Sequence, residues 1–216
     1  RRMIERPIGI LGGTFDPVHV GHLRFALEAF ELLNLAAVRM LPLNSPNHRA
    51  PPVVTAARRF ELLHGAVDGT RIIADDRELR RDGVSYTIDT LESLQVEFPN
   101  QPLCLLLGAD AFHGLCGWHR WQELLANCHL VVAERPDSDA DLDPRLQQLI
   151  NTVAVTDPDK LADELCGRIF FLPIPLLHVS STDIRARIGS GRDISFLVAA
   201  SVQKTIEQHQ LYKSLD

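Results

Sequence analysis

Residues 8–22 read IGILGGTFDPVHVGH, an apolar run followed by a glycine pair and two histidines. The run Ile8–Leu11 is typical of a buried strand, and the periodic segment that begins at Val20 is typical of an amphipathic helix. Gly12 and Gly13 allow a sharp backbone turn between the strand and the helix. Because a helix N-terminus presents unpaired N–H groups and a positive dipole end, this stretch predicts a phosphate site.

The same alternation of short apolar runs and amphipathic segments extends along the chain. Further strands are predicted at 38–41, 72–74, 103–107, 130–132 and 169–172. Helices are predicted at 20–33, with an apolar face of Leu23, Leu27, Phe30 and Leu33, and at 58–67, 87–98, 180–189 and 198–208. Alternating strands and helices predict an α/β fold with a doubly wound parallel sheet, whose ligands lie at the carboxyl ends of its strands.

The length of 216 residues predicts a single domain over residues 1–216. Residues 135–168 are predicted to be a variable acidic excursion, because seven aspartates and three prolines lie between 135 and 166. The spacing of these aspartates lacks the glycine-punctuated pattern of a calcium loop, so we predict a solvated segment with short helices and no metal site. Residues 178–216 are predicted to be a helical C-terminal part.

Composition and charge exclude several classes of protein. With 45% hydrophobic and 23% charged residues, the chain is unlike disordered, collagenous or low-complexity sequences. Its net charge of -6 lacks the positive field of a nonspecific nucleic-acid binder. No apolar window is long enough to span a membrane, and residues 1–6 resemble no signal peptide. We therefore expect a cytoplasmic protein without nucleic-acid or membrane partners, in which the four cysteines are free thiols.

A second motif, VSSTDIR at residues 179–185, stands at the start of a predicted helix. Its hydroxyl groups can cap the helix or bind a phosphate, and Arg185 follows one turn later. From the residues alone, an ordinary N-cap with a solvated arginine remains an alternative. For the first motif the alternatives are surface histidines or a zinc site, although no cysteine or glutamate lies suitably close in sequence to complete such a site.

Both motifs resemble signatures of the nucleotidylyltransferase superfamily. Residues 19–22 resemble its (H/T)xGH signature, which is akin to the HIGH motif of class I aminoacyl-tRNA synthetases, and residues 180–185 resemble its ISSTxIR signature. The resemblance implies a Rossmann-like nucleotidylyltransferase fold with His19, His22 and Arg185 as catalytic residues. It also implies ATP contacts from Gly12, Gly13, Thr14, Phe15, His19, His22, Gly108, Asp110, Ser180, Ser181, Thr182 and Arg185.

Other segments resemble the nicotinate mononucleotide adenylyltransferase family more specifically. In that family the aromatic residue that matches Trp118 stacks on the pyridine ring, and amides that match Thr87 and His119 bind its carboxylate. The resemblance implies mononucleotide contacts from Asp16, His48, Arg49, Tyr86, Thr87, Trp118 and His119. The chain reads Pro46-Asn47-His48 where the family usually has Pro-Pro-His. From the residues alone, Trp118 and Trp121 also fit core positions, Asp110 a helix cap and Arg49 a solvated loop charge.

The implied activity is direct transfer of the AMP part of ATP to nicotinate mononucleotide, which gives deamido-NAD and pyrophosphate. Mg²⁺ is expected to be carried mainly by ATP, because magnesium keeps much of its hydration shell. The alternatives are phosphopantetheine adenylyltransferase, a non-catalytic nucleotide sensor on the same fold, and a tRNA-synthetase-like protein. The oligomeric state is left open.

Overall fold

Seven strands build the sheet of this protein, as seen in a computed structural model that describes residues 4–44, 51–81, 83–134, 142–174 and 177–213. The strands are β1 (Ile8–Gly13), β2 (Ala37–Pro42), β3 (Ile72–Ala74), β4 (Leu103–Leu107), β5 (His129–Glu134), β6 (Ala154–Val155) and β7 (Ile169–Pro173). The helices are α1 (Val20–Leu32), α2 (Ala56–Val67), α3 (Thr87–Glu97), α4 (Ala109–His113), α5 (Leu124–Asn127), α6 (Pro144–Val153), α7 (Lys160–Asp163), α8 (Ser181–Gly189) and α9 (Ala200–Gln208). Short 3₁₀ turns occupy Leu115–Gly117 and Trp121–Glu123.

The strand order is β3-β2-β1-β4-β5-β7-β6. β1 pairs with β4 in parallel, with Ile8 opposite Leu103, and β5 pairs with β7 in parallel, with Leu130 opposite Ile169. From β1 the chain adds β2 and β3 toward one edge of the sheet, and it then returns to add β4 and the later strands on the other side of β1. This reversal is the topological switch point at which α/β sheets bind ligands, and the predicted α/β doubly wound fold is confirmed.

Burial explains why the strands are continuous apolar runs. Every residue of β4 is at most 4% exposed, as expected for a parallel strand that is covered on both faces. Within β1, Gly9 allows close packing, because a Cβ there would approach Leu35 Cδ1 to 2.8 Å and Val38 Cγ2 to 3.0 Å. The core packing of this strand therefore requires a residue without a side chain.

The predicted strands and helices are confirmed to within two residues at their ends, but the predicted apolar face of α1 is wrong in part. The buried residues of α1 are Phe25, Ala26 and Ala29, and Leu33 is buried just after its end, whereas Leu27 is 43% exposed. The spacing of the large apolar residues predicted the leucines, but the helix buries a stripe that contains small alanines. In the described part of the acidic excursion, the predicted short helices are confirmed as α6 and α7, and the strand β6 was not predicted.

The described residues divide into two compact units, and the prediction of a single domain stays a prediction. The first unit comprises the described residues within 1–11, 28–39 and 86–175, and it contains α3 to α7 and the strands β4 to β7. The second unit comprises those within 12–27, 40–85 and 176–216, and it contains α2, β3, α8 and α9.

Replacing Leu91 with alanine should lower the free energy of unfolding by about 2–5 kcal/mol, because its side chain is fully buried in α3 and truncation leaves a cavity. Val96, in the same helix, is 84% exposed and serves as the matched control. Val96→Ala should change the free energy of unfolding by less than about 0.5 kcal/mol. Urea denaturation of both variants measures the difference, and equal losses would contradict the assigned helix face.

Candidate active site

The loop that follows β1 brings His19 and His22 together at the start of α1. The ring centroids are 3.7 Å apart and the rings are stacked, and the His19 N–H donates to His22 Nδ1 over 3.3 Å. The carbonyl of His19 accepts hydrogen bonds from the N–H groups of His22 and Leu23, as expected for a residue at the helix N-cap. His22 therefore lies in the first turn of α1, whereas His19 directly precedes the helix.

His19 is almost enclosed by the protein, with 6% of its surface exposed. Burial lowers its pKa from 6.5 to about 4, so its imidazole is neutral at pH 7. Its Nδ1 has no hydrogen-bond partner among the described residues, and the same is true of the buried Thr14 Oγ1 in this loop. A Cβ at Gly21 would lie 3.0 Å from His19 Cε1, so the glycine of the HxGH pattern makes room for the ring.

The second motif contacts the first one directly. Ser181 Oγ donates to the Pro17 carbonyl over 2.9 Å, and Arg185 Nη1 donates to the Asp16 carbonyl over 2.7 Å. A second Arg185 nitrogen, Nη2, donates to Thr182 Oγ1 over 3.3 Å. These contacts bring the hydroxyl groups and the guanidinium of one motif to the loop that carries the histidines of the other.

Ser180 is the N-cap of α8, and its Oγ accepts a hydrogen bond from the Asp183 N–H over 3.0 Å. The cap reading of the second motif is therefore correct for this serine. Ser180 and Thr182 are exposed at the helix start, where a phosphate could reach them. Capping and phosphate contact are compatible, because a hydroxyl group can accept one hydrogen bond and donate another.

Asp16 faces the interior of the protein, with 3% of its surface exposed. Its Oδ2 accepts from the Val53 N–H over 2.7 Å, and its Oδ1 accepts from the Tyr212 hydroxyl over 2.8 Å. Burial and the charge of Asp16 raise the pKa of Tyr212, which keeps this hydroxyl protonated as a donor. The carboxylate that was predicted to contact a mononucleotide is thus engaged by other parts of the chain.

Sequence reasoning missed Arg59, which lies on α2 and is 1% exposed. Its guanidinium donates to the Thr14 carbonyl over 2.6 Å and to the Leu43 carbonyl over 2.7 Å. Burial lowers its pKa, and the charge of Asp16 opposes that shift. A signal was present, since Arg59 occupies the apolar stripe of α2 with Leu62, Leu63 and Val67. Tyr212 carried no comparable signal.

In the other unit, the residues predicted to surround a pyridine ring come from two segments. Tyr86 is the N-cap of α3 and Thr87 its first residue, and the Tyr86 and His119 rings lie 4.2 Å apart. Trp118 and Trp121 are both only partly buried, so the alternative that they occupy core positions is wrong. The Tyr86–His119 ring contact therefore brings the start of α3 next to the turn at 118–119.

Gly108 and Asp110 follow β4, as predicted. Gly108 is the N-cap of α4, and Asp110 is an exposed residue of its first turn. The N-cap position of this helix belongs to Gly108, so the cap alternative for Asp110 is wrong.

His48 and Arg49 lie outside the described residues. Gly12 and Gly13 are the last two residues of β1, so the expectation that they form the turn after the strand is wrong. A Cβ at Gly13 would lie 2.8 Å from the Phe15 ring.

The described residues hold no group of three or more histidine, cysteine, aspartate or glutamate side chains placed to bind a metal ion. Within the same residues, no helix combines the length and apolar character needed to cross a membrane. The polar groups around the histidine loop are mainly nitrogen and hydroxyl donors. Such donors match phosphate oxygens better than a metal ion.

A family model described as cytidylyltransferase-like matches residues 10–187. A Pseudomonas syringae protein named "Probable nicotinate-nucleotide adenylyltransferase" is 48% identical over 213 residues, which cover 98% of this chain and 96% of the relative. A Pseudomonas aeruginosa protein of the same name is 47% identical over 209 residues, with 96% and 97% coverage.

The fold has a solved counterpart in the nicotinic acid mononucleotide adenylyltransferase of Plasmodium falciparum, determined in complex with APC and with NaAD. The APC complex gives a TM-score of 0.72 at 17% identity and covers 98% of this chain and 100% of that chain. At that identity the likeness establishes the fold alone. The family model and the full-length similarity to the Pseudomonas proteins show that the chain belongs to the cytidylyltransferase-like family and, within it, to the nicotinate-nucleotide adenylyltransferases.

Proposed function

We propose that this protein joins nicotinate mononucleotide to the AMP part of ATP and releases pyrophosphate, which gives deamido-NAD. The observation that carries the proposal is the meeting of the two motifs, in which Ser181 and Arg185 donate to the loop that bears His19 and His22. The name of the Pseudomonas relatives, at 48% and 47% identity, supports the choice of substrates.

The proposed chemistry is a direct in-line displacement. A 5′-phosphate oxygen of nicotinate mononucleotide attacks the α-phosphorus of ATP, a new P–O bond forms, and the bond to the departing pyrophosphate breaks. This reaction asks the protein chiefly to align two anions and to stabilise charge that spreads over the equatorial oxygens. Such work needs hydrogen-bond donors rather than a nucleophilic side chain.

We assign His22 and His19 to the α- and β-phosphates, and Ser180, Ser181, Thr182 and Arg185 to the β- and γ-phosphates. Because the pKa of His19 is about 4, its ring acts as a neutral donor rather than as a cation. Arg185 uses two N–H groups within the described chain, and a guanidinium has five. Mg²⁺ held by ATP oxygens and water would supply further charge neutralisation. The nitrogen donors of this site are poor ligands for magnesium, so the ion would be carried by ATP rather than by the protein.

The remaining contacts are assigned by position. Backbone amides of residues 12–15 would approach the ATP phosphates, and Gly108 and Asp110 the ATP ribose. Trp118 would provide the surface for the pyridine ring, and amides of Thr87 and His119, beside Tyr86, would bind its carboxylate. We keep His48 and Arg49 as proposed contacts of the mononucleotide phosphate from the loop after β2.

The direct test supplies ATP and Mg²⁺ with nicotinate mononucleotide, nicotinamide mononucleotide or phosphopantetheine, and identifies the product by mass. We expect deamido-NAD and an equal amount of pyrophosphate, with kcat/KM at least about tenfold higher for the nicotinate than for the nicotinamide substrate. A carboxamide would direct its NH₂ group at one of the paired amide donors, which leaves a buried donor unsatisfied. Formation of dephospho-coenzyme A, or binding of ATP without any product, would overturn the proposal.

Replacing His22 with alanine should lower kcat about 100-fold or more, because a donor to the transferring phosphate is lost. The stacked contact with His19 is lost as well, so the thermal midpoint should be recorded with the kinetics. His64→Ala is the matched control, since His64 is an exposed histidine on α2, and its kcat should equal that of the wild type. A folded His22→Ala protein with normal kcat would remove this residue from the mechanism.

Replacing Trp118 with alanine should raise the KM for nicotinate mononucleotide about tenfold and leave the KM for ATP unchanged. Stacking of a ring on an aromatic side chain contributes about 1–3 kcal/mol, and truncation removes that surface. Trp121→Ala is the control, because the Trp121 ring lies under the Arg145 guanidinium at 5.4 Å. If steady-state kinetics showed the larger change for Trp121→Ala, the role of the pyridine platform would belong to Trp121 instead.

A further inference from the structure

Arg120 lies directly after Trp118 and His119 and is surrounded by acidic side chains. Its Nη2 lies 2.7 Å from Glu92 Oε1 and 2.6 Å from Glu123 Oε2, and its Nε donates to Glu123 Oε1 over 2.8 Å. Asp89 Oδ1 is 3.8 Å from Nη1. The hydrogen bonds that Arg120 donates to Glu123 and Glu92 raise the pKa of its guanidinium, which is charged at pH 7. One cation thus faces three carboxylates.

This cluster joins the two segments that form the proposed pyridine site. Asp89 and Glu92 belong to the first two turns of α3, whose first residue is Thr87, and Glu123 belongs to the turn after Trp121. Arg120 connects both segments while its backbone adopts a left-handed conformation with φ of 52°. Non-glycine residues rarely adopt this conformation, which costs about 1 kcal/mol or more.

The charge balance of the cluster matters because the proposed substrate carries its own carboxylate. Without Arg120, Asp89, Glu92 and Glu123 would place three uncompensated negative charges on the two segments that carry the amides of Thr87 and His119. A like charge within several ångströms disfavours an anion, whereas it acts much less on a neutral carboxamide. Arg120 cancels one of these charges and engages the oxygens of Glu92 and Glu123.

We propose that Arg120 is a specificity-determining positioning residue, which increases the preference of the site for nicotinate over nicotinamide by cancelling one of the three negative charges of the acidic cluster of Asp89, Glu92 and Glu123. The proposal rests on the proposed function, since it assumes that the pyridine carboxylate binds at Thr87 and His119. It assigns to Arg120 no direct contact with substrate. A surface ion-pair network of this kind contributes little to folding, because 34% of the Arg120 side chain is exposed.

The test measures kcat, KM and calorimetric binding of nicotinate and nicotinamide mononucleotides for the wild type and for Arg120→Gln. We expect the variant to raise the KM and Kd for the nicotinate form about five- to tenfold, and those for the nicotinamide form less than twofold. The kcat with saturating nicotinate substrate and the KM for ATP should stay within about twofold. Arg168→Gln is the matched control, because it removes an arginine that pairs with Glu164 by hydrogen bonds.

Second-site and conservative variants separate the effect of the Arg120 charge from an effect on the geometry of the turn. Arg120→Lys should keep most of the nicotinate preference, and the combination of Arg120→Gln with Glu92→Gln and Glu123→Gln should restore it to within about twofold of the wild type. A role confined to holding the turn would weaken both mononucleotides equally and would not be restored by neutral glutamines. In the wild-type background, Glu92→Gln alone should raise the nicotinate preference about twofold, which tests the proposal even if Arg120→Gln folds poorly.

The outcomes distinguish this proposal from the proposed function. If the wild type makes deamido-NAD but the nicotinate-to-nicotinamide ratio is the same in Arg120→Gln, the role of Arg120 is overturned and the function stands. If the wild type makes no dinucleotide yet calorimetry shows selective binding of the nicotinate form that Arg120→Gln abolishes, the function fails and the charge role stands. Binding of neither mononucleotide overturns both.

Discussion

Hydrogen bonds from side chains to three backbone carbonyls hold the loop that the site depends on. Arg59 donates to Thr14, Arg185 to Asp16 and Ser181 to Pro17, over distances of 2.6–2.9 Å. The carbonyl and the following N–H of a planar trans peptide point in opposite directions. Engaging the carbonyls of Thr14 and Pro17 with internal donors therefore turns the N–H groups of the next residues away from those donors.

The side chain of Asp16 also fixes the position of this loop. Asp16 accepts from the Val53 N–H and the Tyr212 hydroxyl, and its charge opposes the lowering of the Arg59 pKa by burial. Buried charges of this kind are costly unless they are paired and hydrogen-bonded, so they indicate a geometric role more than a stabilising one. Removal of either partner would leave a buried group without compensation. Tyr212, near the end of the described residues, thus also contacts the loop that precedes the two histidines.

Binding of the phosphates and binding of the pyridine carboxylate place different electrostatic demands on the protein. The residues proposed to bind the phosphates lie in one compact unit and would attract a polyanion through Arg185, hydroxyl groups and the neutral imidazole of His19. The residues proposed to surround the pyridine ring lie in the other unit, where Arg120 is the counter-charge of three carboxylates. Because the net charge is -6, the overall field of the chain would not attract such a polyanion.

The sequence alone predicted α1, α2, α3, α8 and α9, every described strand except β6, and both motifs, because periodicity and short spacings report on neighbours within a few residues. The roles of Tyr86, Thr87, Trp118 and His119, and of His48 and Arg49, come from resemblance and stay predictions. Only the tertiary structure decided that Asp16 faces inward, that Arg59 is buried and that Tyr212 reaches the loop. The Arg59–Thr14 and Tyr212–Asp16 hydrogen bonds join residues that are 45 and 196 positions apart. No local pattern encodes such pairings, since they depend on which helix faces pack together once the sheet has formed.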